Sequence, residues 1–353
     1  MISGGITVLI KKYHASCQDE LEQLALLDET RPGTDVSRPF FIVGAGRSGT
    51  TMLRLILAGH SGLHVCPETW FIADLAAHLP RREPLTPMEL ERAITLITGH
   101  YRWPDLGLSE TELRRMVADL ERPTLRAVID TIYGRLARAV GKPRIGDKTP
   151  LYVRILPTLA ELYPDAQFIH LLRDGRDVAM SYIDAGWWRH RCYQGDRFEW
   201  TAAVRAARDF ASKARAGTWF ELRYEELVAA PEVVVRRLCA YLGEGFEPSM
   251  IDFPNRVDLV PERERRIHPR LIQPITAAAI GKWQHLSPTE LFVMEACLHR
   301  DLIENGYALR YAGRMWRPIL ALAGACLTIA SPLLQVIVPA MKRRGLIGAR
   351  AYL

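Results

Sequence analysis

A glycine-spaced segment, residues 40–51, contains the residues best suited to bind an anion. It reads FFIVGAGRSGTT, so an apolar run ends at Gly44 and a loop and a helix-like pattern follow. Backbone N–H groups in such a loop converge on one anion, and the positive end of the following helix stabilises its charge. The segment therefore predicts a strand, a phosphate-binding loop and the start of a helix.

The cation of this loop stands at an unusual position. Loops that bind nucleoside triphosphates follow the pattern G-x-x-x-x-G-K-[ST], which Gly44 and Gly49 fit. The lysine position, however, holds Thr50, and the cation is Arg47, inside the loop. Because that lysine binds the γ-phosphate, we expect this loop to bind a 5′ phosphoryl group of a ligand other than a triphosphate. A tight turn that binds nothing is the alternative.

A second anion-binding pattern lies at residues 168–182, FIHLLRDGRDVAMSY. The apolar run predicts a buried strand, followed by a charged turn in which Gly175 allows a positive φ, and Asp177 suits the N-cap of a helix. Arg173 at the strand end and Ser181, eight residues later, could bind one phosphate together. A solvated turn is the alternative. Two anion-binding patterns in one chain favour a ligand with two separate anionic groups.

Three charged residues have the types that group transfer to an alcohol requires. Glu68 lies in CPETW, twenty-one residues after Arg47, and Lys148 lies in GDKTP. Such a transfer needs a base for the hydroxyl proton and cations for the charge that develops on the leaving group. Glu68, Arg47 and Lys148 meet this need, although Glu68 and Lys148 could also be surface charges near helix starts.

These motifs resemble those of the sulfotransferase family, which uses 3′-phosphoadenosine-5′-phosphosulfate (PAPS). GAGRSGTT is similar to the family's 5′-phosphosulfate loop. The Arg and Ser of the second pattern have the spacing of its 3′-phosphate motif. The loop Arg, a Glu-Thr pair and a Lys-Thr-Pro element resemble the tyrosylprotein branch, while the whole fits bacterial sulfotransferases as a group. The resemblance covers residues 40–80 and 141–242, with a short match near Gly281.

The resemblance implies a PAPS-dependent O-sulfotransferase with a three-layer α/β fold: a P-loop-like parallel sheet flanked by helices, with a helical insertion. It implies that Glu68 is the base and that Arg47 and Lys148 stabilise the bridging oxygen and the sulfonate. His64 is the next candidate base. No metal is implied. The residues implied to bind PAPS, or its product 3′-phosphoadenosine-5′-phosphate (PAP), are Arg47, Ser48, Gly49, Thr50, Thr51, Arg173, Ser181 and Lys282.

Breaks in the pattern predict how the chain is organised. We expect an N-terminal lead at residues 1–37, a sulfotransferase domain at 38–312 and a C-terminal tail at 313–353. Residues 80–143 have helical periodicity and predict an insertion that forms part of the acceptor pocket, or else a packing layer over the sheet. Residues 186–198, GWWRHRCYQGDRF, predict a substrate-gating loop, with core packing of the tryptophans as the alternative.

The tail contains an uncharged stretch, residues 319–341, ILALAGACLTIASPLLQVIVPAM. Its length meets the rule of about 20 residues for a membrane span. Arg314 and Arg317 precede it, a basic triplet follows it at 342–344, and two prolines interrupt it. Basic residues on both sides favour a helix that lies in an anionic leaflet over one that spans the bilayer. A buried core helix or a dimer interface is the alternative.

Composition narrows the partners and the compartment. The 353 residues can form one large α/β domain, and the net charge of +6 favours an anionic nucleotide and is compatible with an anionic membrane. No aromatic-interleaved basic tract is present, so nucleic acid is not expected. The six cysteines lack zinc spacings and the first residues lack a secretory pattern, which predicts a cytoplasmic protein.

The acceptor is expected to be a hydroxyl-bearing small molecule, carbohydrate or lipid. Two other functions stay open at this point. A nucleotide or small-molecule kinase would use a similar loop, but Thr50 in the lysine position argues against it. A membrane-associated module that binds a nucleotide without chemistry would keep the loop and lose turnover.

Overall fold

A computed structural model of the protein describes residues 38–186, 194–267, 271, 275–311, 318–319 and 322–326. The predicted lead, most of the predicted tail and residues 187–193 of the predicted gating loop lie outside these residues. The chain divides into two compact units. The first runs to Gly44 and includes Gly49–Leu171 and Ala207–Thr276, and the second comprises Ala45–Ser48, Leu172–Ala206 and the chain from Ala277.

A five-stranded sheet organises the first unit. Its strands are β1 (Phe40–Gly44), β2 (Leu63–Cys66), β3 (Arg144–Lys148), β4 (Gln167–Leu172) and β5 (Trp219–Arg223), in the order β2-β3-β1-β4-β5. β1 pairs in parallel with β3 and β4, and β2 pairs in parallel with β3. β1, β3 and β4 are buried along their whole length, as expected for parallel strands covered on both faces.

The helices complete the α/β fold. In chain order they are α1 (Thr50–Leu57), α2 (Phe71–His78), α3 (Pro87–Thr98), α4 (Glu110–Ala118), α5 (Leu125–Val140), α6 (Leu156–Leu162), α7 (Gly175–Asp184), α8 (Gln194–Ala211), α9 (Tyr224–Ala229), α10 (Pro231–Leu242), α11 (Glu262–Ile267) and α12 (Pro288–Glu304). Short 3₁₀ helices include Trp103–Leu106, Pro150–Ile155 and Lys282–His285. The predicted fold, a parallel sheet flanked by helices, is confirmed.

Aromatic packing fixes the strands around β1. The Phe41 ring stacks on Phe168 of β4 with centroids 5.6 Å apart and contacts Tyr163 at 5.7 Å. On the other side of β1, Gly146 of β3 faces Phe40, and a Cβ at this glycine would overlap the Phe40 ring. Burial of several phenyl rings is a large part of the hydrophobic stabilisation of such a sheet.

The register brings the carboxyl ends of β2 and β3 together. Cys66, the last residue of β2, pairs with Asp147, and Lys148 follows as the last residue of β3. The chain reaches β2 at one edge, returns through β3 and crosses to β4 on the far side of β1. Residues that follow parallel strands at such a switch point form the usual ligand site of open α/β sheets.

The segment 80–143 is helical, as its periodicity predicts. Its three helices begin with hydroxyl N-caps, since Thr86, Ser109 and Thr124 each accept a hydrogen bond from the N–H three residues on. Such a cap satisfies one of the free donors of the first turn. The boundaries predicted for the insertion and for the domains stay predictions.

The start of α7 corrects one prediction. The N-cap is Asp174, whose carboxylate accepts from the Arg176 N–H at 2.9 Å, and Asp177 lies within the helix. Gly175 does not use the positive φ that a glycine allows, because it is the first helical residue. A glycine is required there for packing, since a Cβ would lie 2.7 Å from the Trp200 ring.

Within the described residues, no helix combines the length and apolar character needed to cross a bilayer. The predicted membrane-associated stretch 319–341 falls mostly outside those residues, so it stays a prediction.

Candidate active site

A buried carboxylate and a buried ammonium meet at the carboxyl ends of β2 and β3. Lys148 Nζ donates to Glu68 Oε1 at 2.5 Å, and also to the Thr51 hydroxyl at 3.3 Å. The Lys148 side chain is fully buried, and that of Glu68 is 12% exposed. The pairing of β2 with β3 explains the contact, because Glu68 follows β2 by two residues and Lys148 ends β3. Two of the three predicted catalytic residues are therefore in direct contact.

Two more charged residues join this pair, and the sequence analysis did not identify either. Arg102 Nη2 donates to Glu68 Oε2 and lies 2.7 Å from Glu264 Oε1. Lys148 Nζ lies 3.4 Å from Glu264 Oε2. Each cation thus contacts both carboxylates. We call these four residues, Glu68, Lys148, Arg102 and Glu264, the charge cluster.

Sequence alone offered only weak signals for the two additional residues. Arg102 lies among aromatic residues in HYRWP, and Glu264 lies in the charge run PERERR. Charge runs of this kind are usually solvated, yet the Glu264 side chain is only 3% exposed.

The charge cluster keeps Glu68 ionised. Burial alone would raise the pKa of Glu68, but the positive charges of Lys148 and Arg102, with hydrogen bonds from Lys148 and Trp70, lower that pKa to about 2. Trp70 Nε1 donates to Glu68 Oε2 at 2.7 Å. Trp70 has φ 57°, a conformation that costs a non-glycine residue free energy. Glu68 is therefore a carboxylate at neutral pH, and a weak base while both cations hold it.

A buried aspartate fixes the backbone on both sides of the pair Glu68 and Lys148. Asp147 accepts from the hydroxyls of Thr69 and Thr149, each at 2.7 Å, and the Thr69 N–H donates to Thr149 Oγ1 at 3.0 Å. Thr69 follows Glu68, while Asp147 and Thr149 flank Lys148. Burial raises the pKa of Asp147 to about 6 despite these hydrogen bonds.

The first residues of α1 and its N-cap also belong to the first unit. Gly49 is the N-cap of α1 with φ 101°, and a Cβ there would lie 2.6 Å from the Tyr224 ring. Thr50 and Thr51, the first two helical residues, are buried. Their position at a helix N-terminus suits an anion, because the first N–H groups of a helix have no partner within it.

In the second unit, the structure brings together three residues that were predicted to bind PAPS. Arg47 Nε donates to Ser181 Oγ at 3.1 Å, and Arg173 Nη1 donates to the Arg47 carbonyl at 2.8 Å. Arg173 Nη2 donates to the Ala279 carbonyl at 2.6 Å. Arg47 has φ 64°, so the loop holds it in the left-handed region. We call Arg47 and Arg173 the arginine pair.

The arginine pair creates a cationic environment. Burial lowers the pKa of Arg47; the Tyr182 hydroxyl opposes this effect, and the positive charge of Arg173 reinforces it. The hydrogen bonds of Arg173 to two backbone carbonyls orient its guanidinium. An anion bound between these arginines would be favourable for both.

Two further observations indicate that loop residues 45–48 suit an anion. Ser48 is 1% exposed, and its Oγ has no hydrogen-bond partner among the described residues. The Gly46 N–H donates to a carboxylate oxygen of Glu199 at 3.1 Å, and the Tyr182 hydroxyl donates to the same oxygen. A loop N–H is thus already directed at an anionic oxygen, and a buried hydroxyl remains available as a donor.

Lys282, which was also predicted to bind PAPS, forms a different contact. Among the described residues, Lys282 forms its ion pair with Asp184. The N–H groups of Gly281 and Trp283 donate to the carboxylate of Asp177 at 2.7 and 3.4 Å, which explains why that carboxylate is turned away from the helix start.

His64, the second candidate base, is a neutral imidazole at physiological pH. Burial lowers its pKa to about 4, and the charges of Arg54 and Lys142 act in the same direction. In the part of the chain that the structure describes, no group of three His, Cys, Asp or Glu side chains is placed to hold a metal ion.

Comparison with known proteins gives a consistent result. Residues 39–248 match the model of the sulfotransferase family. A protein-tyrosine sulfotransferase of Drosophila melanogaster is 25% identical over 258 residues, which cover 69% of this chain and 46% of that protein. The nodulation protein NoeE of Sinorhizobium fredii is 30% identical over 143 residues, which cover 40% of this chain and 30% of that protein.

A solved structure shows the same fold. The sulfotransferase domain from the curacin biosynthetic pathway superposes with a TM-score of 0.53 at 21% identity, covering 76% of this chain and 98% of that domain. The chain spans only part of the length of two of these relatives, 27% of an uncharacterized Aquifex aeolicus protein and 46% of the Drosophila enzyme.

Proposed function

Because this chain belongs to the sulfotransferase family, we propose that it transfers a sulfuryl group from PAPS to a hydroxyl acceptor. The observation that carries the proposal is the buried contact of Glu68 with Lys148, which places a proton acceptor beside a cation at the ends of neighbouring strands. The loop supports the choice of donor, since Thr50 stands where triphosphate-binding loops have their lysine.

In the proposed reaction, the acceptor oxygen bonds to sulfur while the bond from sulfur to the 5′-phosphate oxygen breaks, so that PAP leaves with the bridging oxygen. The hydroxyl proton of the acceptor passes to Glu68. Lys148 and Arg47 stabilise the charge on the bridging oxygen and the sulfonate. Proton removal by a positioned base contributes roughly 10²- to 10⁴-fold to such a step.

Lys148 also links donor binding to the strength of the base. While Lys148 donates to Glu68, the pKa of that carboxyl stays near 2. Once Lys148 donates instead to the sulfonate, one positive charge is withdrawn from Glu68 and its pKa rises, because an opposite charge favours the ionised form. Glu68 then becomes a stronger base only when the donor is in place.

The 5′-phosphate is assigned to the loop and the start of α1, residues 48–51. The buried hydroxyl of Ser48, which has no partner among the described residues, supports this assignment, as do the buried threonines at the helix N-terminus.

The 3′-phosphate is assigned to Arg173 and Ser181. Their support is the contact of Arg47 with Ser181 and the orientation of Arg173 by two carbonyls. Lys282 is assigned to the same phosphate, and it must then exchange its ion pair with Asp184 for the nucleotide.

The acceptor is proposed to be an alcohol on a carbohydrate, a glycolipid or another small molecule. Segment 80–143 is proposed to form part of its pocket, because Arg102 of this segment contacts Glu68. We further propose a cytoplasmic protein whose tail, residues 313–353, binds an anionic membrane surface. Truncation before Arg317 should then abolish sedimentation with anionic vesicles and leave PAP binding unchanged.

Two labelled donors test the proposed function. The full chain is incubated with PAPS labelled in sulfur or with ATP labelled in its γ-phosphate, together with extracts rich in hydroxyl acceptors. We expect label to leave PAPS and not ATP. Transfer from ATP would favour a kinase, and binding of PAP without any transfer would favour a module without chemistry.

A further inference from the structure

Arg102 and Glu264 connect the two proposed catalytic residues of the first unit. Arg102 comes from the turn before a 3₁₀ helix and Glu264 from α11, and neither belongs to an anion-binding motif. Arg102 contacts a carboxylate oxygen of each glutamate, and Lys148 does the same. The side chains of Arg102 and Glu264 are 7% and 3% exposed, so these contacts are shielded from water.

Proton transfer creates a charge problem that Glu264 can solve. When Glu68 takes up a proton, it ceases to be a counter-ion for Arg102 and Lys148. A buried cation without a counter-ion is strongly unfavourable. Glu264 contacts both cations, and Asp105 contacts Arg102, so both cations keep a counter-ion during the step.

We propose that Arg102 and Glu264 are positioning residues that act on the basicity of Glu68 in opposite directions. Arg102 holds Glu68 ionised. Glu264 shares Arg102 and Lys148 with Glu68, so it weakens their hold on the base and keeps them paired when the base is protonated. The catalytic role of Arg102 and Glu264 rests on the proposed function. Their electrostatic effect on Glu68, which we call the charge relation, does not.

Other groups near Glu68 have separate roles. The neighbouring titratable or charged side chains come from α1, β2, β3, α11, the first 3₁₀ helix and the turn before it, and they are Arg54, Cys66, Asp105, Asp147, Lys148, Glu264 and Arg102. Asp105 contacts Arg102 at 3.1 Å. Arg54 donates to the carbonyls of Val65 and Leu259, and burial raises the pKa of the Cys66 thiol, which keeps it neutral. Arg102 and Glu264 can therefore be changed without removing a proposed catalytic residue.

The test is a titration of Glu68 in the full chain by NMR of glutamate labelled with carbon-13 at the carboxyl. The Glu68 signal is identified by its loss in Glu68→Gln. In the wild type we expect Glu68 to stay ionised down to the lowest pH at which the protein is folded. In Arg102→Gln we expect its pKa to rise by about one to three units, the usual effect of one opposite charge at contact distance.

The decisive variant adds Glu264→Gln to Arg102→Gln. We expect the pKa of Glu68 to fall again, because a negative neighbour is gone and Lys148 turns to Glu68 alone. Two merely structural residues would both relax Glu68 toward its ordinary pKa, so a further rise, or no change, overturns the proposal. If Arg102→Gln does not fold, Arg102→Lys provides the raised starting point, since an ammonium lacks the fork that reaches both carboxylates.

Turnover separates this inference from the proposed function. Glu264→Gln alone should lower sulfuryl transfer by about tenfold through the weaker base, with PAP affinity unchanged. Unchanged turnover overturns the inference. If the titrations behave as stated while the wild type never transfers sulfate, the proposed function fails and the charge relation stands. If sulfate is transferred and the titrations do not behave so, only the charge relation fails.

Discussion

The charge cluster of the first unit and the arginine pair of the second unit hold their cations through different kinds of contact. Both cations of the charge cluster contact carboxylates. The arginine pair donates to the hydroxyl of Ser181 and to backbone carbonyls. A carboxylate contact offsets the charge of a cation, whereas a carbonyl or hydroxyl contact orients a guanidinium.

This difference suggests a division of labour. In the charge cluster each cation contacts two carboxylates, so it keeps a counter-ion when one of them takes up a proton, and the cluster is suited to chemistry. A cationic region is suited to binding a phosphate. Changes in the charge cluster should therefore affect stability and turnover, and changes in the arginine pair should affect nucleotide affinity.

The largest expected effect is a loss of stability when Lys148, but not Lys282, is replaced. Lys148→Met leaves two buried carboxylates in the charge cluster with one cation, and breaking a buried ion pair typically costs about 3–5 kcal/mol of stability. Lys282→Met is the matched control, because its ion pair with Asp184 is 24% and 50% exposed and such pairs contribute about 0–1 kcal/mol. Urea unfolding followed by tryptophan fluorescence measures both. Equal losses would contradict the distinction between the two regions.

Nucleotide selectivity should depend on the arginine pair. Arg173→Ala should weaken PAP by about 1.5–3 kcal/mol, the range for hydrogen bonds to charged groups, and should hardly affect AMP, which lacks the 3′-phosphate. Calorimetric titration with both nucleotides checks this. Arg205→Ala, which removes an ion pair with Asp301 in the same unit, is the control. Similar losses for PAP and AMP would remove the 3′-phosphate site from Arg173.

The pH dependence of stability should reveal Asp147. Its folded pKa, raised by burial to about 6 from an ordinary 3.8, means that the folded state binds the proton more tightly. The stability that protonation provides is therefore present at acid pH and lost as the pH rises through about 6.

Asp147→Asn removes this dependence. As the pH rises from about 4 to about 7, the free energy of unfolding of Asp147→Asn should increase by about 1–3 kcal/mol relative to that of the wild type. Urea unfolding across this range measures the difference. The exposed Asp165→Asn should leave the wild-type slope nearly unchanged. A constant difference between wild type and Asp147→Asn would show that Asp147 does not titrate there.

The smallest effect concerns the carboxylate at the loop. Glu199 accepts from the Gly46 N–H, so its charge competes with a bound phosphate. Glu199→Gln should strengthen PAP binding by about 1 kcal/mol, or about fivefold, the typical worth of one such hydrogen bond. The exposed Glu232→Gln is the control. A weaker PAP complex in Glu199→Gln would mean that Glu199 supports the loop instead of competing for it.

Local patterns predicted part of the fold well. The loop after β1 was predictable because glycine spacing and the following helix start lie within a dozen residues, and β1 and α1 begin where that pattern places them. The short strand β3 was not predicted, since RIGDK contains three charged residues and looks like a loop. Its charges are buried because partners from other segments meet them, which no local pattern shows.

Distant partners account for the other failures. Asp174 and Asp177 are both good cap residues, and the choice between them depends on Gly281, 104 residues from Asp177. Arg102 lies 34 residues from Glu68, a separation at which no local pattern indicates a contact. The roles of the predicted site residues stay predictions, because proximity does not by itself establish which group moves a proton.

Sulfate transfer by Glu68→Gln tests whether Glu68 is the base. Wild type and variant are first shown by calorimetry to bind PAP equally, and both then receive PAPS labelled in sulfur with a hydroxyl acceptor. The account predicts that transfer falls by roughly 10² or more while PAP affinity stays the same, as expected for a lost base. Transfer within a few fold of wild type would contradict it and would make His64 the next residue to test.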